Sequence, residues 1–264
     1  MPMSTQMKTG RDVDQLRQLA LRMGGLAEEI LEKALRATWR RDPALAASVM
    51  EDDLEIDRID VEIDEAVLNV LALRAPVAID LRQVVAINTM ATDLERVGDL
   101  ARNIAGCARR LCERDPIAPP AELRTLAEAS QRALSESLGA FADLDVARAR
   151  SVLSADNEID AIESSVVRGA IARIQADPST SGQQIDLMFI ARNLERVGDH
   201  ATNIAEHVVL AAGIEEPEAP GEALALGRDR RDRSAQGAKP RESEKQGSWE
   251  EESWSSTTSP TSSS

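Results

Sequence analysis

Leu94-Glu-Arg-Val-Gly-Asp-Leu-Ala-Arg-Asn-Ile-Ala105 returns one hundred residues later as Leu194-Glu-Arg-Val-Gly-Asp-His-Ala-Thr-Asn-Ile-Ala205. Ten of the twelve positions are identical. So long a match is hard to reach by chance even in a chain rich in Ala, Leu and Arg, and it marks an internal duplication. A second match precedes it: Glu55-Ile56-Asp57 aligns with Glu158-Ile159-Asp160 at a spacing of 103. The three extra residues fit a loop of different length between the copies. Two helices of each unit therefore correspond in order.

Outward from these segments the pattern is helical from about Arg11 to Ala212. Leu16, Leu19, Met23, Leu26, Ile30 and Ala34 form one apolar stripe of a first helix that ends near Arg41. Asp42-Pro43 reads as an N-cap followed by a proline at the first helical position. The second helix then carries Ile56, Ile59, Ile63, Val67 and Val70, and Pro76 breaks it. A third runs from about Ile79 to Leu111, before Asp115-Pro116 and Pro119-Pro120. The cycle repeats: Leu123, Leu126, Leu134, Leu138 and Phe141 mark a fourth helix, and Val152, Ile159, Ile162 and Val166 a fifth that opens near Asp145. Asp177–Gly182 reads as a loop, and a sixth helix spans about Gln184 to Leu210. The expected fold is all-α, two antiparallel three-helix bundles in tandem, over 11–115 and 116–212. Residues 213–264 are rich in Pro, Gly, Ser, Glu and Arg with almost no apolar period. Such a tail cannot bury enough surface to offset its ordering entropy, and the expectation is disorder. Trp249 and Trp254 within it are weak evidence for a docking motif.

Composition narrows the function. Aromatic residues are 2% of the 264, which disfavours a sandwich or barrel and suits packed amphipathic helices. The net charge of −15 offers no basic footprint for a nucleic-acid backbone. The leader Met1–Gly10 has no apolar core, so a secretory signal is not expected. No apolar run approaches the roughly 18 residues of a membrane span, so a membrane connection would run through a partner. Cys107 and Cys112 point about 140° apart on one helix and cannot bridge each other. A reducing compartment is the default for such a pair.

The chemistry-bearing pattern is acidic. At about 100° per residue, Glu95, Asp99 and Asn103 share a stripe at the rim of the third helix's core face. Gly98 lies between stripe and core, where a missing side chain lets a neighbour approach closely. On the second helix Asp53, Asp57, Asp60 and Asp64 form a stripe beside the core face. Like charges at this spacing destabilise a helix by a few tenths of a kcal/mol per pair, so something should offset them. The second copy repeats the arrangement with Asp156, Asp160 and Glu163, and with Glu195, Asp199 and Asn203. Carboxylate pairs brought together from adjacent helices build an oxygen-rich site that suits hard divalent cations or iron. The alternative is a solvated acidic face paired with arginines; Arg58, Arg96, Arg102 and Arg196 are near enough in sequence to serve. His200 and His207, seven apart, are read as surface or rim residues rather than a close ligand pair. Ferritin-like di-iron sites need Glu-x-x-His, and here the third residue after each Glu is Gly98 or Gly198. A phosphate-cradling Gly-rich loop, a nucleophile elbow and a catalytic Cys/His arrangement are also missing from the sequence. No enzyme is expected.

Two three-helix repeats, each with Asp-Leu-Glu-Arg-Val-Gly-Asp-like text followed by Asn-Ile-Ala, resemble the PhoU family of phosphate-transport accessory and signalling regulators. The resemblance covers roughly residues 11–212 and is most specific at Asp93–Ala105 and Asn193–Glu206. It implies a cytoplasmic, dimeric, all-helical negative regulator of phosphate uptake and of the phosphate-starvation response. It implies two partners, the ATPase subunit of the phosphate ABC transporter and a phosphate-sensing histidine kinase. It also implies bound metal, whether iron, zinc, magnesium or manganese, through Glu/Asp-x-x-x-Asp motifs. Carried to this sequence, the ligands are Asp53 and Asp57, Glu95 and Asp99, Asp156 and Asp160, and Glu195 and Asp199, with Asn103 and Asn203 supporting them. Asp93 stands where the second repeat has Asn193, so the two sites are expected to differ in charge. The readings that compete with this one are a helical metal store or metalloenzyme, and a plain acidic adaptor.

Overall fold

The computed structural model describes residues 3–213, with side chains from Thr9 onward. Apart from Gly213 itself, the tail of residues 213–264 and its two tryptophans lie outside the described residues. The described chain is all-α: α1 (Met3–Arg40), α2 (Pro43–Arg74), α3 (Ala78–Cys112), α4 (Ala121–Asp143), α5 (Val146–Ala176) and α6 (Ser181–Ala211), with a 3-10 turn at Pro178–Thr180 before α6. Helices α1, α2 and α3 pack on one another as one bundle, and α4, α5 and α6 as the second. The bundles meet chiefly where α3 lies against α6, and more lightly where α1 meets α4.

Local chemistry fixes the helix starts. Asp42 accepts hydrogen bonds from the backbone N–H groups of Ala44 and Leu45, both at 3.0 Å, which opens α2 at Pro43. Asp145 accepts from Arg148 N at 3.0 Å and opens α5. Two boundaries differ from expectation. Helix α1 begins at Met3 rather than near Arg11. The expected loop Asp177–Gly182 is nearly all helical, because the Asp177 side chain accepts from Ser179 N at 3.1 Å and caps the 3-10 turn, which runs straight into α6.

The apolar stripes become the core. Ile56, Ile59 and Ile63 of α2, Leu94, Val97 and Ile104 of α3, and Leu194, Val197 and Ile204 of α6 are all buried. At Gly98 and Gly198 side chains of α2 and α5 lie close against α3 and α6. A Cβ on Gly98 would sit 2.7 Å from Asp53 Oδ1 and 3.2 Å from Ile56 Cδ1; on Gly198 it would sit 2.9 Å from Ile159 Cδ1. These glycines serve helix packing.

The seam between the bundles carries polar groups that burial obliges to pair. Asp93, 8% exposed, lies on α3 and is held from α6 on both oxygens. Its Oδ1 is 2.8 Å from His200 Nδ1 and accepts from Asn203 Nδ2 at 3.0 Å; its Oδ2 is 3.0 Å from His207 Nε2. Burial pushes the Asp93 carboxyl up, but the hydrogen bonds from His200, His207 and Asn203 outweigh it and bring the pKa down to about 2. At the far end of the same seam Asp186 of α6, 3% exposed, is paired with Arg110 of α3 at 2.7 Å and with Arg114, two residues past the end of α3. The histidines are half-buried, in keeping with a rim placement, but both are engaged across the seam by Asp93. Seven residues is two helical turns, so both rings lie on one face, and a single carboxylate between them takes one on each oxygen.

Replacing Gly98 with Ala should destabilise the protein by about 1–2 kcal/mol, since overpacking against a buried Asp53 outweighs the gain in helix propensity. Gly25→Ala, with nothing within 4 Å of the added Cβ, should stabilise by roughly 0.5–1 kcal/mol. Denaturant unfolding distinguishes the two. The Asp93 carboxyl has its pKa lowered from 3.8 to about 2, so its stabilisation, about 2 kcal/mol, is fully present above pH 4 and is lost as the pH falls toward 2. Unfolding measured between pH 5 and 2 should show this step, and Asp93→Asn should remove it.

Candidate metal site in the second repeat

Each repeat sets one acidic helix pair side by side, α2 with α3 and α5 with α6, and the two pairs are differently furnished. In the second, Asp160 of α5 and Glu195 and Asp199 of α6 bring carboxylate oxygens within 4.8 Å of one another. Among the described residues this is the group of three ligand-type side chains that could hold one ion. Two oxygens on opposite sides of an ion with bonds of about 2.4 Å lie about 4.8 Å apart, so the spacing admits a hard divalent cation. Glu195 is half-buried, its side chain 12% exposed. Its Oε1 accepts from Arg192 Nη1 at 2.9 Å. Its Oε2 is buried and has no hydrogen-bond partner. Burial first, then the charge of Asp199 with Asp160 and Glu163, outweighs Arg192 and raises the Glu195 carboxyl to about 7. A buried acceptor left unpaired beside two further carboxylates is the arrangement that a cation would satisfy, and these residues fit one. Asp156, expected in the same set, instead accepts from Thr202 Oγ1 at 3.1 Å.

The first repeat does not reproduce this. Asp53 is 2% exposed, on the core side of α2 rather than on a stripe beside it. It ion-pairs with Arg102 of α3, Nη1 to Oδ2, at 2.6 Å. The same guanidinium donates its Nη2 to Asp99 Oδ1. Arg96 takes the other Asp99 oxygen at 3.2 Å and lies 3.3 Å from Glu95 Oε2. Asp57 is exposed. Desolvation is the largest influence on Asp53 and on Glu95 and raises both carboxyls, with Arg102 and Arg96 respectively pulling the other way. The arginine-paired alternative thus describes the first repeat. Arg58 is not part of it and pairs with Glu55 at 3.2 Å.

The two asparagines also part company. Asn203 turns away from the acidic group to Asp93 across the seam. Asn103 is exposed and lines a shallow pocket with Met50, Arg102 and Arg109. The seam cluster of Asp93, His200 and His207 was missed in the sequence, although the paired departure of Asp93 from Asn193 and His207 from Cys107 across the repeat was a signal for it.

Known proteins support the duplication directly. The PhoU domain model matches residues 20–108 and again 123–208. The phosphate-specific transport system accessory protein PhoU homologue of Caulobacter vibrioides is 38% identical over 198 residues, covering 75% of this chain and 86% of its own. That of Zymomonas mobilis is 38% identical over 208 residues, covering 78% of this chain and 88% of its own. The crystal structure of PhoU from Pseudomonas aeruginosa superposes with a TM-score of 0.75 at 35% identity, covering 78% of this chain and 99% of its own. The phosphate transport system regulatory protein PhoU from Streptococcus pneumoniae gives a TM-score of 0.72 at 27% identity, over 77% and 96%. With both repeats matched and the six-helix fold shared, this chain belongs to the PhoU family.

Proposed function

We propose that this protein is a non-catalytic accessory regulator of a phosphate-specific transport system, holding phosphate uptake and the phosphate-starvation response down when phosphate is plentiful. The observation that carries the reading is the match of the PhoU domain to both repeats, together with relatives named as accessory proteins of that system. In this role it works as an adaptor in the cytoplasm, as a homodimer, between the ATPase subunit of the phosphate ABC transporter and a phosphate-sensing histidine kinase. Among the described residues no helix is long and apolar enough to cross a membrane, in keeping with contact to the membrane through these partners.

A metal ion belongs to this reading. Asp160, Glu195 and Asp199 would hold it, and the ion would supply the positive charge that the unpaired Glu195 oxygen lacks. Bound there, it would link Asp160 of α5 with Glu195 and Asp199 of α6. Iron, zinc, manganese and magnesium are the candidate ions. A plain acidic adaptor would keep its fold without metal and lose partner affinity with added salt.

Deleting the gene under phosphate excess, in a strain with no second family member, should switch on phosphate-starvation genes and raise phosphate uptake; unchanged repression and uptake would sink the reading. A tagged copy recovered from phosphate-replete cells should bring down the transporter ATPase and the kinase. Glu195→Gln with Asp199→Asn should weaken that recovery if metal shapes the docking face.

A further inference from the structure

Of the twelve residues that open the duplicated helix segments, two differ: Leu100 against His200, and Arg102 against Thr202. The first change supplies the seam. The second lies three residues after the Asp of each acidic pair and decides what fills the groove. We propose that Arg102 is a permanent built-in counter-cation, which closes the acidic groove of the first repeat to metal and leaves the second repeat as the one metal-accepting site among the described residues. This rests on the metal reading of the second repeat and extends it to how many such sites the chain has.

The geometry is specific. Arg102 leaves α3 one turn beyond Asp99 and reaches back along the helix to Asp99 and across to Asp53 of α2. One planar guanidinium, with donors on two nitrogens, therefore joins the two helices through two carboxylates, as a bridging metal would. Asp53 Oδ2 is committed to Arg102, and Oδ1 lies close against Gly98, 2.7 Å from where a Cβ there would sit. Asp99 has one oxygen on Arg102 and the other on Arg96. A divalent ion entering here would have to evict a guanidinium that is tethered to the same helix and at high local concentration, or sit beside it against like charge.

In the second repeat the corresponding side chain is Thr202. Its hydroxyl lies 3.1 Å from Asp156 Oδ1 and 3.0 Å from the Gly198 carbonyl oxygen, so its single proton serves one of them at a time. It brings no charge. The buried Glu195 Oε2 that stays without a partner is in this repeat. The two grooves descend from one pattern and solve the same problem, a row of carboxylates between two helices, with an arginine spanning both helices in one and an uncharged threonine beside an unpaired Glu195 oxygen in the other.

The test uses the full chain, stripped with chelator and dialysed against Mn(II), with bound metal counted by mass spectrometry and folding followed by circular dichroism. Wild type should load a single class of site. Glu195→Gln or Asp199→Asn should empty it, while Asp53→Asn and Asp99→Asn should leave its metal content unchanged. Arg102→Thr should roughly double the metal content, and the added portion should vanish when Asp99→Asn is combined with it. Thr202→Arg should empty the second site. As a readout apart from metal counting, Arg102→Thr without metal should melt at a lower temperature than wild type, and Mn(II) should return part of that loss. If Asp99→Asn in an otherwise wild-type chain halves the metal content, or if a folded Arg102→Thr loads no more than wild type, this inference falls while the metal reading of the second repeat stands. If neither folded wild type nor folded Arg102→Thr takes up Mn(II), both fall together.

Discussion

Everything in this molecule depends on α3 and α6 being packed on two sides at once. Each is the inner helix of its own bundle and also half of the seam that joins the bundles. A helix in that position has little surface left for water. On α3 the buried set runs through Val84, Ile87, Met90, Leu94, Val97, Leu100, Ala101, Ile104, Cys107 and Leu111. What remains partly open is the strip bearing Glu95, Asp99 and Arg102, and on α6 the strip bearing Glu195 and Asp199. Glu95, Asp99, Glu195 and Asp199 on these strips stay half-exposed, so their charges are not fully taken out of water.

The same packing explains the polar groups in the seam. A carboxylate taken out of water must be met by donors, and Asp93 and Asp186 are met from across the seam: Asp93 by His200, Asn203 and His207 of α6, and Asp186 by Arg110 of α3 and by Arg114 just past its end. Neither arrangement is symmetric under the duplication. Asp93 corresponds to Asn193, and Asp186 to Ala86. Two copies of one helix cannot face each other with identical charges, so divergence at these positions gives the seam a defined register as well as paired charges. A symmetric Asp facing Leu and Cys would have left a buried charge unpaired.

Much of the fold was legible because its determinants are local. Apolar spacing of three and four, Asp42 before Pro43, Asp145 ahead of α5, and proline pairs between bundles define helices within a few residues of their own position. The loop at Asp177–Gly182 misled because Asp177 caps a tight turn that continues into α6, and composition alone reads such a segment as irregular. The candidate site was half legible. The i, i+4 spacing put Glu195 and Asp199 on one face, and the same rule put Glu95 and Asp99 on another. It gave no means of knowing that Arg102 would cross to Asp53, a partner 49 residues away, or that Asn203 and two histidines would converge on a residue more than a hundred positions earlier.

The sequence by itself determined the duplication, the six helices, their buried faces and the row of carboxylates on each strip, since helix geometry relates neighbours along one chain segment whatever else is present. Only the tertiary structure decided that Arg102 answers Asp53 and Asp99 together, and that one buried Glu195 oxygen is left without a partner. That depends on how near α2 comes to α3 and α5 to α6, on the glycines that permit the approach, and on the reach of a single side chain across the gap. The repeated Glu-Arg-Val-Gly-Asp text is the same in both bundles; the side chain three residues beyond its Asp, and the helix lying opposite, make the two grooves different.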